Sequence, residues 1–166
     1  MIRIVTHRGL DPDRKNYFPE SSREAFQDQI SRGFDLEFDL QVAQDGTIVV
    51  SHEYHPQAPT LEELFFLQAG NTSCYVIHIK HFMQLPETLN TVLQIVRTAN
   101  PSRFFLFDLK PETARYIHEK NPDIQLIVPQ SYKIIYSVDW KLHSDKHDII
   151  IILTPSYNEQ KFATLV

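Results

Sequence analysis

The sequence predicts an α/β fold of the TIM-type (β/α) barrel, shortened or incomplete, with about six parallel strands in a single domain over residues 1–166. Three observations lead there. Short, almost wholly apolar β-branched runs alternate with segments of helical period, which is the pattern of parallel βαβ units. Polar groups recur at the C-terminal ends of successive strands, as His7-Arg8, Glu37 with Asp39, His78 with Lys80, and Asp108 with Lys110. In a (β/α) barrel those ends line one mouth. The chain is short for a full barrel, which takes roughly 250 residues. It is therefore incomplete or compressed, with an open side or a partner covering it.

The elements follow in order. Ile2 to Thr6 is a β-branched run and reads as a buried strand. A polar loop from Asp11 to Pro19 leads to Ser21-Ser22-Arg23-Glu24, where Ser21 and Glu24 have capping-box spacing. Phe26 and Ile30 share a helical face and Gly33 stops the helix. Within residues 33–53 a strand carries Leu36, Phe38 and Leu40 on one face, Asp45-Gly46 turns it, and Thr47 to Ser51 returns. Thr60 and Glu63 box a second helix with Leu61, Leu64 and Phe65 on its apolar face, ended by Gly70. Tyr75 to Lys80 is a strand with Ile77 and Ile79 on one face and His78 and Lys80 on the other. Residues 86–99 are helical through Leu89, Val92, Leu93 and Val96, and stop at Asn100-Pro101. Phe104 to Leu109 is a strand. Pro111 opens a helix through about His118. Ile124 to Val128 and Ile149 to Leu153 are further strands, residues 130–147 are ambiguous, and the last ten residues can begin a helix.

Composition narrows the function. The net charge of -5 argues against a nucleic-acid partner. The single cysteine, Cys74, forbids an internal disulfide and reads as a buried small apolar residue. No apolar run approaches the ~20 residues of a membrane helix. The N-terminus begins directly as a strand without signal-peptide features, so a cytoplasmic location is the expectation.

The chemistry concentrates in residues 33–53. Glu37 and Asp39 are two apart in a strand, so they share a face, while Leu36, Phe38 and Leu40 point into packing. Adjacent carboxylates repel and are costly to desolvate, so water, a cation or partner groups must offset the pair. The hairpin carries His52 back beside them. One sequence segment thus delivers two carboxylates and an imidazole to one spot.

Several blocks together resemble the glycerophosphodiester phosphodiesterase family. They are His7-Arg8-Gly9, Pro19-Glu20-Ser21-Ser22 with Ala25-Phe26, Gly33 through Leu40, Asp45-Gly46, Val49 through Glu53, and Pro59 through Leu64. Their order and spacing match jointly over the first 65 residues, and the likeness weakens after Lys80. The resemblance implies a TIM barrel and a small phosphodiester substrate. It implies that Glu37 and Asp39 hold a divalent metal, Mg²⁺ or Ca²⁺, that His7 and His52 act as base and acid, and that Arg8 grips phosphate. These residue types suit the task, because a cation with Arg8 offsets the charge of a phosphodiester while two imidazoles move protons near neutral pH. Lys80 can add a second positive contact, and Glu20 can orient Arg8, cap backbone or touch substrate.

The sequence also departs from the family. His78-Ile79-Lys80 stands where the family has Glu-x-Lys, so a histidine replaces a third carboxylate. As a ligand, His78 shifts metal preference toward Mn²⁺, Fe²⁺ or Zn²⁺. Alternatively it plugs a site that has lost its metal. His52-Glu53 replaces His-Asp, Pro19-Glu20-Ser21 replaces Pro-Glu-Asn, and Tyr54–Ala58 is a shortened connection. Asp108 reads as a helix-capping residue before Pro111, and Trp140 with Tyr132 and Tyr136 as packing. Three functions are open: a phosphoric diester hydrolase, a phosphate-binding pseudoenzyme, or a structural subunit whose open side packs on a partner or a second copy. The intact His7, Arg8, Glu37, Asp39 and His52 favour the hydrolase.

Overall fold

In the computed structural model of the chain, residues 2–10, 18–67, 73–127, 132–136 and 148–153 are described, with residues 2–4, 132–136 and 148–153 as backbone alone. Strands β1 (Ile2–His7), β2 (Asp35–Val42), β4 (Tyr75–His78), β5 (Phe104–Phe107), β6 (Gln125–Leu126), β7 (Tyr132–Tyr136) and β8 (Asp148–Leu153) lie in the hydrogen-bonded order β6-β5-β4-β2-β1-β8-β7. Every neighbouring pair in that order is parallel. Strand β3 (Ile48–Val50) folds back antiparallel on β2. Helices α1 (Arg23–Ser31), α2 (Leu61–Phe66), α3 (Pro86–Thr98) and α4 (Pro111–Lys120) make the crossovers. This is the alternation that the sequence predicts. Among the described residues β6 and β7 end the order without pairing to each other, so the sheet is a partial barrel.

Local chemistry explains most element ends. The Asp45-Gly46 turn forms: Gly46 has φ +87°, the Thr47 N–H donates to Asp45 Oδ1 at 3.0 Å, and Leu40, Gln41 and Val42 pair with Val50, Val49 and Ile48. The capping box at α2 forms, with Thr60 accepting from the Glu63 N–H and Glu63 accepting from the Thr60 N–H. At α1 the cap differs from expectation. Ser22 is the N-cap and accepts from the Ala25 N–H at 3.1 Å, while Ser21 sits at φ +58°. The left-handed turn at Ser21 moves the cap one residue along, so no Ser21–Glu24 box can form. Of the strand expected over 124–128, Gln125–Leu126 is a strand among the described residues and Val128 lies outside them, and residues 132–136 of the ambiguous stretch are a strand. Gly70, residues 11–17, Trp140 and the last ten residues lie outside the described residues, as do the side chains of Tyr132 and Tyr136.

The two faces of the sheet are used differently. Leu36, Phe38, Leu40, Tyr75, Ile77, Ile79, Phe104 and Leu106 turn outward to the helices and form the main core with Phe26, Ile30, Leu61, Leu64, Leu89, Val92, Leu93, Val96 and Ile117. Phe38 is fully buried and meets Phe26 and Tyr75 edge-on, each with centroids 6.0 Å away. On the opposite face Val5, Cys74, Val76, Phe105, Phe107 and Ile127 make a smaller apolar floor. His7, Glu37, Asp39 and His78 stand on that floor because they share its parity. No helix among the described residues is long and apolar enough to cross a membrane.

Candidate active site

Register brings the strand ends together. His7 pairs with Glu37 across β1 and β2, and Asp39 pairs with His78 across β2 and β4. Beyond β1 the chain turns sharply. Arg8 has φ +55°, its N–H donates to the Glu37 carbonyl at 2.8 Å, and its carbonyl accepts from the Ser21 N–H at 2.8 Å. Gly9 follows at φ +73°, and a Cβ there would lie 3.0–3.2 Å from Phe26 and Ala25. Glycine is therefore required by both conformation and space. Arg8, Ser21 and Asp108 are the positive-φ non-glycine residues among those described, and all three border this mouth. Such strain persists where surrounding contacts over-determine the backbone.

Asp39 is the hub. It is 1% exposed, and both its oxygens are taken. Oδ2 accepts from Arg8 Nε at 2.9 Å, and Oδ1 lies 2.8 Å from His78 Nδ1 and 3.8 Å from Lys80 Nζ. The second ring nitrogen of His78 is 3.0 Å from Asp108 Oδ2. The ring itself stacks on Phe107 with centroids 4.8 Å apart. Burial alone would raise the Asp39 carboxyl, but the His78 hydrogen bond and the charges of Arg8 and Lys80 hold it below the usual carboxylate range. The hydrogen bond to Asp39 lifts His78 above its ordinary value against the opposing effect of burial, and Asp108 adds to the rise. Ionised carboxylates only accept, so an imidazole bonded to two of them carries both protons.

Glu37 and His7 form the contrasting pair. Burial, then the Asp39 charge, pushes the Glu37 carboxyl up to about 8. Burial, then the Arg8 charge, pushes the His7 imidazole down to about 4. At neutral pH both are uncharged, so their 3.7 Å separation is a contact of neutral groups rather than an ion pair. Glu37 Oε2 and His7 Nδ1 are buried with no hydrogen-bond partner among the described residues.

The remaining residues frame these. Glu20 Oε2 stands 3.5 Å from Arg8 Nη1. The His52 carbonyl accepts from Lys80 Nζ and from Gln41 Nε2, the latter at 2.7 Å. The hairpin thus returns His52 to the Asp39 strand. A cleft of about 940 Å³ is lined by Glu20, Ser22, Glu24, His52, Tyr54 and His55 among others. All eight residues singled out in the sequence therefore lie around one mouth. Sequence reasoning missed the bonding of Asp108, which does not cap α4 but bonds His78. It also missed Gln41 and Gln84; the latter donates to the Ile79 and Asp108 carbonyls and accepts from the Lys110 N–H. The tolerance of Asp for left-handed backbone was the one available hint, and nothing in the sequence marks either glutamine.

The donor set does not fit a resident divalent cation in the way the resemblance implies. Glu37 and Asp39 share a face, but Asp39 has its oxygens covered by Arg8 and His78, and His78 offers no lone pair while bonded to two carboxylates. Among the described residues no group of three or more His, Cys, Asp or Glu is arranged to hold a metal ion.

Comparison with known proteins adds to this geometry. Residues 7–68 match the model of the glycerophosphoryl diester phosphodiesterase family. No curated protein matches the chain. Among solved structures, a glycerophosphodiester phosphodiesterase from Agrobacterium tumefaciens superposes with a TM-score of 0.65 at 16% identity, over 93% of this chain and 96% of that one. An Oleispira antarctica phosphodiesterase in complex with the product sn-glycerol-3-phosphate gives 0.59 at 14% identity, over 84% and 68%. A Galdieria sulphuraria protein gives 0.65 at 17% identity, over 81% of this chain but 65% of that one, so the chain spans about two thirds of its length. At these identities the likeness carries the fold, a (β/α) barrel that is here partial.

Proposed function

We propose that this chain, whose residues 7–68 match the model of the glycerophosphoryl diester phosphodiesterase family, hydrolyses a small glycerophosphodiester-like substrate. One observation carries the reading: Arg8, His78 and Lys80 gather on one buried aspartate, with the His7 ring at Glu37 and the His52 backbone bonded by Lys80. Arg8 and Lys80 bind the phosphoryl oxygens and offset their charge, which otherwise repels the attacking hydroxyl. His7 is the base, since burial keeps its ring unprotonated and able to accept. His52 is the acid that protonates the departing alkoxide, with its backbone pinned by Lys80 and Gln41. The new P–O bond forms from the attacking oxygen as the bond to the leaving alcohol breaks, so a diester and water become a monoester and an alcohol. Glu20 holds Arg8 in place at the edge of the cleft. The product-bound Oleispira antarctica phosphodiesterase, a structure of the same fold, supports the substrate class.

The test is turnover of glycerophosphocholine and bis(p-nitrophenyl) phosphate by the purified chain. His7→Ala and His52→Ala should each lower kcat by about 10²–10⁴-fold, with the melting temperature retained. Turnover that survives both substitutions removes the acid–base assignment. A second reading, a phosphate-binding module without turnover, is favoured by His78, which bonds Asp39 and Asp108 where the resemblance implies a carboxylate. It predicts calorimetric binding of sn-glycerol 3-phosphate that weakens in Arg8→Ala, with no hydrolysis of either substrate.

A further inference from the structure

A continuous run of hydrogen bonds crosses the mouth from Arg8 to Asp39 to His78 to Asp108, at 2.9, 2.8 and 3.0 Å. It joins the ends of β1, β2, β4 and β5, and each link is built in. Asp39 and His78 are register partners on adjacent parallel strands. Phe107 stacks on the His78 ring at an interplanar angle of 18°, which fixes its tilt. Asp108 is turned toward the ring by its φ of +61°, and its carbonyl is held by Gln84 at 2.7 Å. A divalent cation of the Mg²⁺ or Ca²⁺ kind needs several oxygen lone pairs converging on one point. Here each Asp39 oxygen already holds a nitrogen donor, and His78 presents N–H groups where a ligand would present lone pairs. Among the described residues Glu37 Oε2 is the buried carboxylate oxygen here with no hydrogen-bond partner, and one carboxylate is a poor site for a cation.

We propose that His78, bridged between Asp39 and Asp108, excludes a divalent cation from this centre, so that Arg8 and His78 stand in the cation's place and the site works without a metal. His78 is then a positioning residue: it acts by holding Asp39, and so Arg8, in a fixed arrangement toward the phosphoryl group. The proposal deepens the phosphodiesterase reading and rests on it for the activity measurement alone.

The experiment uses the whole chain, stripped with chelator, titrated calorimetrically with Mg²⁺, Ca²⁺, Mn²⁺ and Zn²⁺ alone, and melted with and without each ion. The wild type should show no cation binding that depends on Glu37, down to the weak end of protein calcium sites at about 1 mM, and no rise in melting temperature. His78→Glu should gain one such cation and a metal-dependent rise in melting temperature, and should lose both when combined with Glu37→Gln. His78→Asp, with a shorter side chain, serves if His78→Glu does not fold. Wild-type binding that Glu37→Gln abolishes overturns the proposal, and so does a folded His78→Glu that gains no ion. Hydrolysis should be unchanged by chelator; a loss of about tenfold or more, restored by one of these ions, also overturns it. Absence of any hydrolysis defeats the phosphodiesterase reading instead, and the calorimetry still decides the metal question.

Discussion

The Glu37–His7 pair makes stability depend on pH in a way that a single substitution dissects. In the unfolded chain Glu37 titrates at 4.5 and His7 at 6.5; folding moves them to about 8 and about 4. Between pH 4.5 and 6.5 the unfolded pair is charged and the folded pair neutral, but both hold one proton, so the pair adds no slope. Above pH 6.5 the unfolded pair holds none while folded Glu37 keeps its proton. A raised folded pKa means stability that is lost as pH rises, here through the window from 6.5 to 8. At ~1.4 kcal/mol per pH unit the loss is roughly 2 kcal/mol. His78, also raised, contributes a loss in the same direction, so the wild type alone does not isolate Glu37. Glu37→Gln keeps the shape of the protonated side chain and removes its titration. Urea unfolding at pH 6.5 and pH 8 should therefore show a clearly shallower fall in the variant, with unchanged m-values. Parallel falls in the two proteins would mean that folded Glu37 is already ionised at pH 6.5, and the argument from burial would be refuted.

Three further outcomes follow from the packing. Phe38→Ala removes a fully buried ring that meets Phe26 and Tyr75, and should cost about 3–5 kcal/mol in chemical denaturation. Gly9→Ala places a methyl 3.0–3.2 Å from Phe26 and Ala25 at φ +73°, and should cost about 1–3 kcal/mol while lowering activity through the displaced Arg8. Gln41→Ala removes one of the two donors on the His52 carbonyl; it should cost about 1 kcal/mol and lower kcat more than it changes KM, measured by steady-state hydrolysis.

Features that depend on neighbours along the chain were readable from the residues alone. Leu36, Phe38 and Leu40 alternate with Glu37 and Asp39, so the strand and its two faces were legible. Asp45-Gly46 carries its turn, and Thr60 with Glu63 its cap, because each interaction closes within a few residues. The Ser21 cap failed because Ser21 is drawn to φ +58° by its bond to Arg8, a residue far away in the chain. The site divided in the same way. Its members were legible as polar residues ending successive strands, and the structure gathers them at one mouth. Their states were not legible: nothing local says that Asp39 is shared by Arg8 and His78, that Asp108 closes the run, or that Glu37 is protonated and His7 is not. Those outcomes depend on strand register and on depth of burial. Register and burial exist only once distant strands have paired, and they set the electrostatic cost of every charge in the mouth.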